Sequence, residues 1–99
     1  MVDTMKNVNI LNLFRKIICS LVCIIKYTKN SELKSKAIKY LNDFLEQYEL
    51  YNNKDKYSLN NCEDIINFCN ECYGDKDVFD YAEDVEYGLR ELIEISNTK

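Results

Sequence analysis

Apolar residues recur every three or four positions along most of this chain, which is the period of one face of an α-helix. The pattern predicts four helices, over about residues 3–27, 31–50, 59–73 and 75–96. No stretch shows the strict alternation of a half-buried β-strand, and the sequence has no proline and only two glycines to interrupt helices. We therefore expect an all-α fold, a single-domain four-helix bundle or a close relative of one, over residues 1–99.

The first helix is predicted to begin near Asp3 and to be a long, buried helix at the centre of the bundle. Positions 17–25 are apolar on nearly every side, which is typical of a core helix. This run is well below the roughly 20 residues that cross a bilayer, so we expect neither an export signal nor membrane contact. The predicted inner face consists of Val8, Leu11, Phe14, Ile18, Leu21, Val22 and Ile25.

The other three helices have inner faces with the same spacing. The second helix has Leu33, Ala37, Ile38, Leu41, Phe44, Leu45 and Tyr48. The third has Cys62, Ile65, Ile66, Cys69, Cys72 and Tyr73, and the fourth has Val78, Ala82, Val85, Leu89, Leu92 and Ile93. Gly74 is predicted to end the third helix in a left-handed cap. Gly88 lies inside the fourth helix, where it either admits a close neighbour or reflects sequence drift.

The five cysteines are predicted to be small apolar side chains in the core, without a metal or another cofactor. Their odd number argues against a closed set of disulfides, and reduced thiols fit a cytoplasmic location. The chain has no histidine to complete a zinc site. Cys69 and Cys72 form a C-x-x-C pair, but at the end of a helix, whereas redox motifs of this type begin one.

Charge is divided unevenly between the two ends of the chain. Between positions 71 and 94 there are nine Asp/Glu and two Lys/Arg, whereas residues 1–49 hold eight Lys/Arg and five Asp/Glu. A field of this kind attracts a cationic partner and repels nucleic acid from the acidic side. The pattern indicates a binding protein rather than a particular reaction.

The fourth helix carries the candidate binding residues. Four of its acidic residues and one tyrosine follow a four-three-four-three spacing, so they share one outward stripe, and two more acidic residues flank it. A solvated helix face is the alternative, although the dipole of the helix does not explain carboxylates near its C-terminus. The predicted partner-binding residues are Asp77, Asp80, Glu83, Asp84, Tyr87, Glu91 and Glu94.

Enzymatic activity is not expected. Without histidine there is no Ser/His or Cys/His nucleophile pair, and no glycine-rich loop is present to hold phosphate. The carboxylates are predicted on a convex face, whereas active sites occupy pockets. The lysines of the first half are dispersed, with no aromatic platform between them, so we also expect no direct binding of nucleic acid.

The acidic, tyrosine-bearing segment 79–93 resembles the toxin-facing helices of immunity proteins from bacterial toxin systems, including contact-dependent inhibition systems. The resemblance implies a cytoplasmic inhibitor that covers the active site of a cognate toxin, often a cationic nuclease. One alternative is a viral or phage accessory protein that mimics the charge of nucleic acid. Another is a homo-oligomeric structural module, such as a homodimer, with Leu13, Ile24 or Phe68 at its interface.

Overall fold

Four helices form a ring in which each helix packs against two others. The computed structural model describes residues 8–97, and the predicted helix start at Asp3 lies outside them. The helices are α1 (Val8–Tyr27), α2 (Ser31–Lys54), α3 (Cys62–Cys72) and α4 (Phe79–Asn97), and the described residues contain no β-strand. Helix α1 packs against α2 and α4, and α3 packs against the same two helices. The prediction of an all-α four-helix bundle is confirmed.

Helix α2 begins at the predicted position but extends one turn further than expected. The side-chain oxygen of Asn30 accepts hydrogen bonds from the backbone N–H groups of Glu32 (2.9 Å) and Leu33 (3.1 Å), which caps the first turn. At the other end, the side chain of Tyr51 is buried in the core, and the helix continues past its predicted end at residue 50. The helix stops at Asp55, whose backbone is left-handed.

The end of α3 and the start of α4 differ from the prediction. Neither glycine has a positive φ, so Gly74 does not form the predicted left-handed cap. Helix α3 closes through a hydrogen bond from the Tyr73 N–H to the Cys69 carbonyl (3.1 Å). Helix α4 begins at Phe79 rather than near residue 75, because Asp75 forms a turn in which its side chain accepts the N–H of Asp77 (3.0 Å).

The buried face of α1 is rotated from the predicted one, and α1 is not the central helix. Its buried residues include Ile10, Ile17 and Ile24, whereas Val8 and Val22, both predicted inside, are exposed. A ring has no central member, so each helix keeps a side turned to solvent. The prediction of a long first helix buried in the bundle is confirmed, but the helix shares the core with the other three and does not occupy its centre.

The inner faces of the other helices are predicted with unequal success. Most of the α4 face is correct, with Val78, Ala82, Val85, Leu89 and Leu92 fully buried. In contrast, Ile38 and Leu45 of α2 and Tyr73 after α3 are exposed. Ile24 and Phe68 are fully buried and Leu13 is partly buried, so the surface suggested for a homodimer is mostly core.

Candidate functional site

The register of α4 follows from its packing against α1. Gly88 lies where the two helices approach closely, since a Cβ built on it would be 2.8 Å from Cγ1 of Ile17. Val85, Leu89 and Leu92 enter the core on the same side of the helix. This packing turns the opposite side of α4 outward. The close neighbour admitted by Gly88 is therefore α1 of the same chain.

The structure keeps the predicted residues on the outward part of α4 and the turn before it. Tyr87 is 58% exposed, which leaves most of its ring available to a partner. Two members of the set, Asp84 and Glu91, are partly buried, and Glu91 lies at the edge next to α1. The remaining exposed members are Asp77, Asp80, Glu83 and Glu94.

We call these seven predicted residues the outward row of α4. Part of this row borders a shallow groove between α1 and α4. Tyr87 and Glu91 form one wall of this groove, and Asn12 and Lys16 of α1 belong to the other. The Lys16 ammonium lies 5.1 Å from the centroid of the Tyr87 ring, within the range of a cation–π contact. The sequence did not indicate this contact, because it depends on the packing of the first helix against the last.

Most carboxylates of the row lack the ion pairs that two neighbouring acidic side chains, Glu71 and Glu86, make. Glu71 is paired with Lys36 across helices (3.0 Å) and Glu86 with Arg90 within α4 (2.8 Å). Asp77 makes only a loose contact of 3.9 Å with Lys29, whose side chain is 90% exposed. Within residues 8–97, no ion pair joins a cation to any of the other five carboxylates, Asp80, Glu83, Asp84, Glu91 and Glu94.

Glu86 lies on the side of α4 towards the end of α3 and has a structural role. Its carboxylate accepts hydrogen bonds from the Tyr73 hydroxyl and from Nε of Arg90, and it forms an ion pair with the same guanidinium. The bond from Tyr73 is the main reason that the pKa of Glu86 is lowered. Burial, with the same hydrogen bond as the second cause, raises the pKa of Tyr73. This network separates Glu86 from the outward row.

The cysteines do not all lie in the core. Cys69 and Cys72 are buried, and burial raises the pKa of each to about 12, so both thiols remain protonated near neutral pH. Cys19 is exposed on the outer side of α1, and the prediction that all five are buried is wrong for it. Cys23 and Cys62 are partly exposed. No cluster of three or more metal-ligating side chains occurs in the described part of the chain.

Comparisons with protein-family models, with curated proteins and with solved structures find no match to this chain. Among the described residues, the outward row of α4 contains five carboxylates that make no ion pair.

Proposed function

We propose that this protein binds and neutralises a cationic partner protein through the outward row of α4. One observation supports this most directly: five carboxylates of the row make no ion pair with the described part of their own chain. Like charges on adjacent turns of a helix repel each other. A partner that brings lysine or arginine side chains to the row removes this repulsion and gains charge-assisted hydrogen bonds.

The same row provides the elements that protein interfaces use for affinity and rate. Carboxylates near the rim speed the encounter with a positively charged surface, and they do so most strongly at low salt. Tyr87, exposed in the middle of the row, supplies the kind of aromatic anchor that is enriched at binding hot spots. Its cation–π contact with Lys16 holds the ring at the edge of the groove without covering it.

The partner we propose is a cognate toxin, most simply a nuclease, whose substrate-binding cations the row would cover. Inhibition would then be steric and electrostatic, in the cytoplasm of the cell that makes both proteins. In this role the protein needs no catalytic residue and no cofactor. A general nucleic-acid-binding protein is the alternative partner, in which case the row would mimic phosphate charge.

Charge reversal of the row tests the proposal. The triple variant Asp80→Lys, Asp84→Lys and Glu91→Lys should lose the partner in a pull-down at low salt from the native organism, read by mass spectrometry. The matched control reverses three exposed acidic residues on other helices, Glu46→Lys, Glu49→Lys and Glu63→Lys. Both variants change the net charge equally, so a general effect of charge would appear in both.

Circular dichroism separates a binding effect from unfolding in these variants. The proposal expects a single basic protein that the wild type and the control retain and that the row variant releases. Normal binding by a folded row variant would contradict it. Recovery of many nucleic-acid-binding proteins instead of one would favour the phosphate-mimic alternative.

A further inference from the structure

A second surface of the molecule lies on the other side of α1, where α1 meets α2. The Arg15 side chain donates a hydrogen bond to the Tyr48 hydroxyl (3.1 Å), so these two residues mark one end of the outer seam between the helices. Three, seven and ten residues after Arg15 along α1 come Ile18, Val22 and Ile25. The spacing keeps them on the same side of α1 as Arg15.

The α2 side of this seam repeats the spacing in the opposite direction. Three, seven and ten residues before Tyr48 come Leu45, Leu41 and Ile38. The contact of Phe14, early in α1, with Phe44, late in α2, shows that the two helices run antiparallel. The two apolar rows therefore lie side by side. We call this surface the α1/α2 apolar face, and it consists of Ile18, Val22, Ile25, Ile38, Leu41 and Leu45.

No other described helix covers the α1/α2 apolar face. Val22 is 46% exposed, and Ile38 and Leu45 are each 43% exposed, while the other three side chains are partly buried. All six residues were predicted to be on the inner faces of α1 and α2, but the bundle buries narrower faces and leaves them at its surface. A contiguous exposed aliphatic patch of this kind marks an interaction surface.

Cations are concentrated at the end of this face near the link 28–30. Residues 18–38 contain four Lys/Arg and one carboxylate, Glu32, whereas Asp43, Glu46 and Glu49 lie near the other end of the face, along α2. Lys26 lies four residues after Val22 and Lys34 four residues before Ile38, so both flank the face at its end near the link 28–30. Both lysines are exposed.

Helix α1 is also long and apolar enough to cross a bilayer by length and composition, a test that core helices of soluble proteins pass as well. Here about a third of its apolar window is buried in the bundle. The apolar residues that remain outside the core lie largely on one side, next to those of α2. This arrangement is typical of a surface that lies in a membrane interface without spanning it.

We infer that the α1/α2 apolar face binds the surface of an anionic membrane, with its aliphatic side chains in the interface and its lysines on the lipid headgroups. The inference replaces the expectation from sequence that the protein makes no membrane contact. It does not depend on the proposed function, because α1 separates this face from the outward row of α4. Anionic headgroups would repel that row, so the bound protein would present α4 to the cytoplasm.

Charge favours a membrane over a dimer in which two copies of this face pair with their helices parallel. Such a two-fold symmetric dimer would bring Lys26 and Lys34 of one protomer towards the same lysines of the other, and like charges at an interface oppose association. An anionic bilayer can bury the aliphatic side chains in its interface and pair its headgroups with the lysines. The face also exposes no aromatic anchor among its six residues, whereas protein hot spots are rich in tryptophan and tyrosine.

Vesicle flotation tests the inference with the full-length protein. The wild type should float with vesicles of phosphatidylcholine and phosphatidylglycerol at low salt, and much less with phosphatidylcholine alone. Ile38→Asn combined with Leu45→Asn should lower the partition coefficient at least ~10-fold, since aliphatic burial supplies much of the binding. Phe79→Asn, at an equally exposed apolar residue on α4, is the matched control and should bind normally.

A second pair of variants tests the charge requirement. Lys26→Glu with Lys34→Glu should abolish flotation, whereas Lys54→Glu with Lys56→Glu, at exposed lysines away from the face, should reduce it only slightly. Absence of flotation by the wild type would overturn the inference. So would a dimer in sedimentation that Ile38→Asn dissociates, or a stoichiometric acidic protein partner that this variant releases, because either would assign the face to a protein.

Discussion

Replacement of Gly88 by alanine tests the packing that sets the direction of the whole acidic row. An exposed glycine inside a helix disfavours the folded state by about 1 kcal/mol relative to alanine, so the substitution is normally stabilising. Here the new Cβ would lie 2.8 Å from Cγ1 and 3.2 Å from Cδ1 of Ile17, a fully buried side chain. Cγ1 is close to the backbone, so it cannot move away without a shift of α1 or an unfavourable rotamer.

The magnitude follows from two opposing contributions. Insertion of a methyl group into a well-packed core costs about 1–3 kcal/mol, which offsets or exceeds the gain of about 1 kcal/mol in helix propensity. We therefore expect Gly88→Ala to lower the free energy of unfolding by about 0–2 kcal/mol. For a chain of this size, each 1 kcal/mol lowers the Tm by roughly 4–8 °C.

Urea denaturation measures this change, and two controls separate its components. Comparison of Glu83→Ala with Glu83→Gly, at an exposed site on the same helix, measures the helix propensity alone. In an Ile17→Ala background the opposing carbon atoms are absent, so Gly88→Ala should become stabilising by about 1 kcal/mol. If Gly88→Ala stabilises the otherwise unchanged protein by that amount, α1 and α4 do not approach as closely as described.

Three further predictions concern stability and thiol reactivity. Thr28 is buried and its hydroxyl donates to a carboxylate of the α3–α4 turn (2.9 Å), so Thr28→Val should cost about 1–3 kcal/mol in urea denaturation and Thr28→Ser clearly less. The lowered pKa of Glu86 means that its carboxylate stabilises the folded state above about pH 4.5 and loses this effect as the pH falls through the lowered value. The stability difference between wild type and Glu86→Gln, roughly 0.5–1 kcal/mol at neutral pH, should therefore shrink in acid, and a constant difference would contradict the network. With a thiol reagent under native conditions, Cys19 should react quickly, while Cys69 and Cys72 should react only on unfolding; equal rates would contradict the described burial.

The local pattern of the sequence was sufficient for the helices and for the outward direction of the acidic row. Apolar residues in α4 keep one clear stripe, so Val85 and Leu89 could be placed inside and Asp80 and Glu94 outside without further information. The lack of ion pairs along the row was not predictable. It depends on which lysines of other segments come within reach, and the two that approach the row contact Tyr87 and Asp77 rather than its other five carboxylates.

Helix α1 shows where sequence reasoning failed and why. Between positions 17 and 25 its apolar residues occupy nearly every direction, so periodicity could not decide which side is buried. The choice of Val22 as an inner residue and the burial assigned to Cys19 were both wrong for this reason. The end of α2 was misplaced in a similar way, since the polar residues after Tyr51 hid the burial of its ring.

The sequence by itself determined that this chain forms four helices in this order and that its last third carries a strong negative charge, because these properties depend on residues close together along the chain. Only the tertiary structure decided which side of each apolar helix is covered. In a ring of four helices the neighbours of α1 bury one side of it, and they leave Val22 outside beside Ile38 and Leu45 of α2. Burial is a property of contacts between distant segments, so the α1/α2 apolar face could be recognised only after the helices were packed.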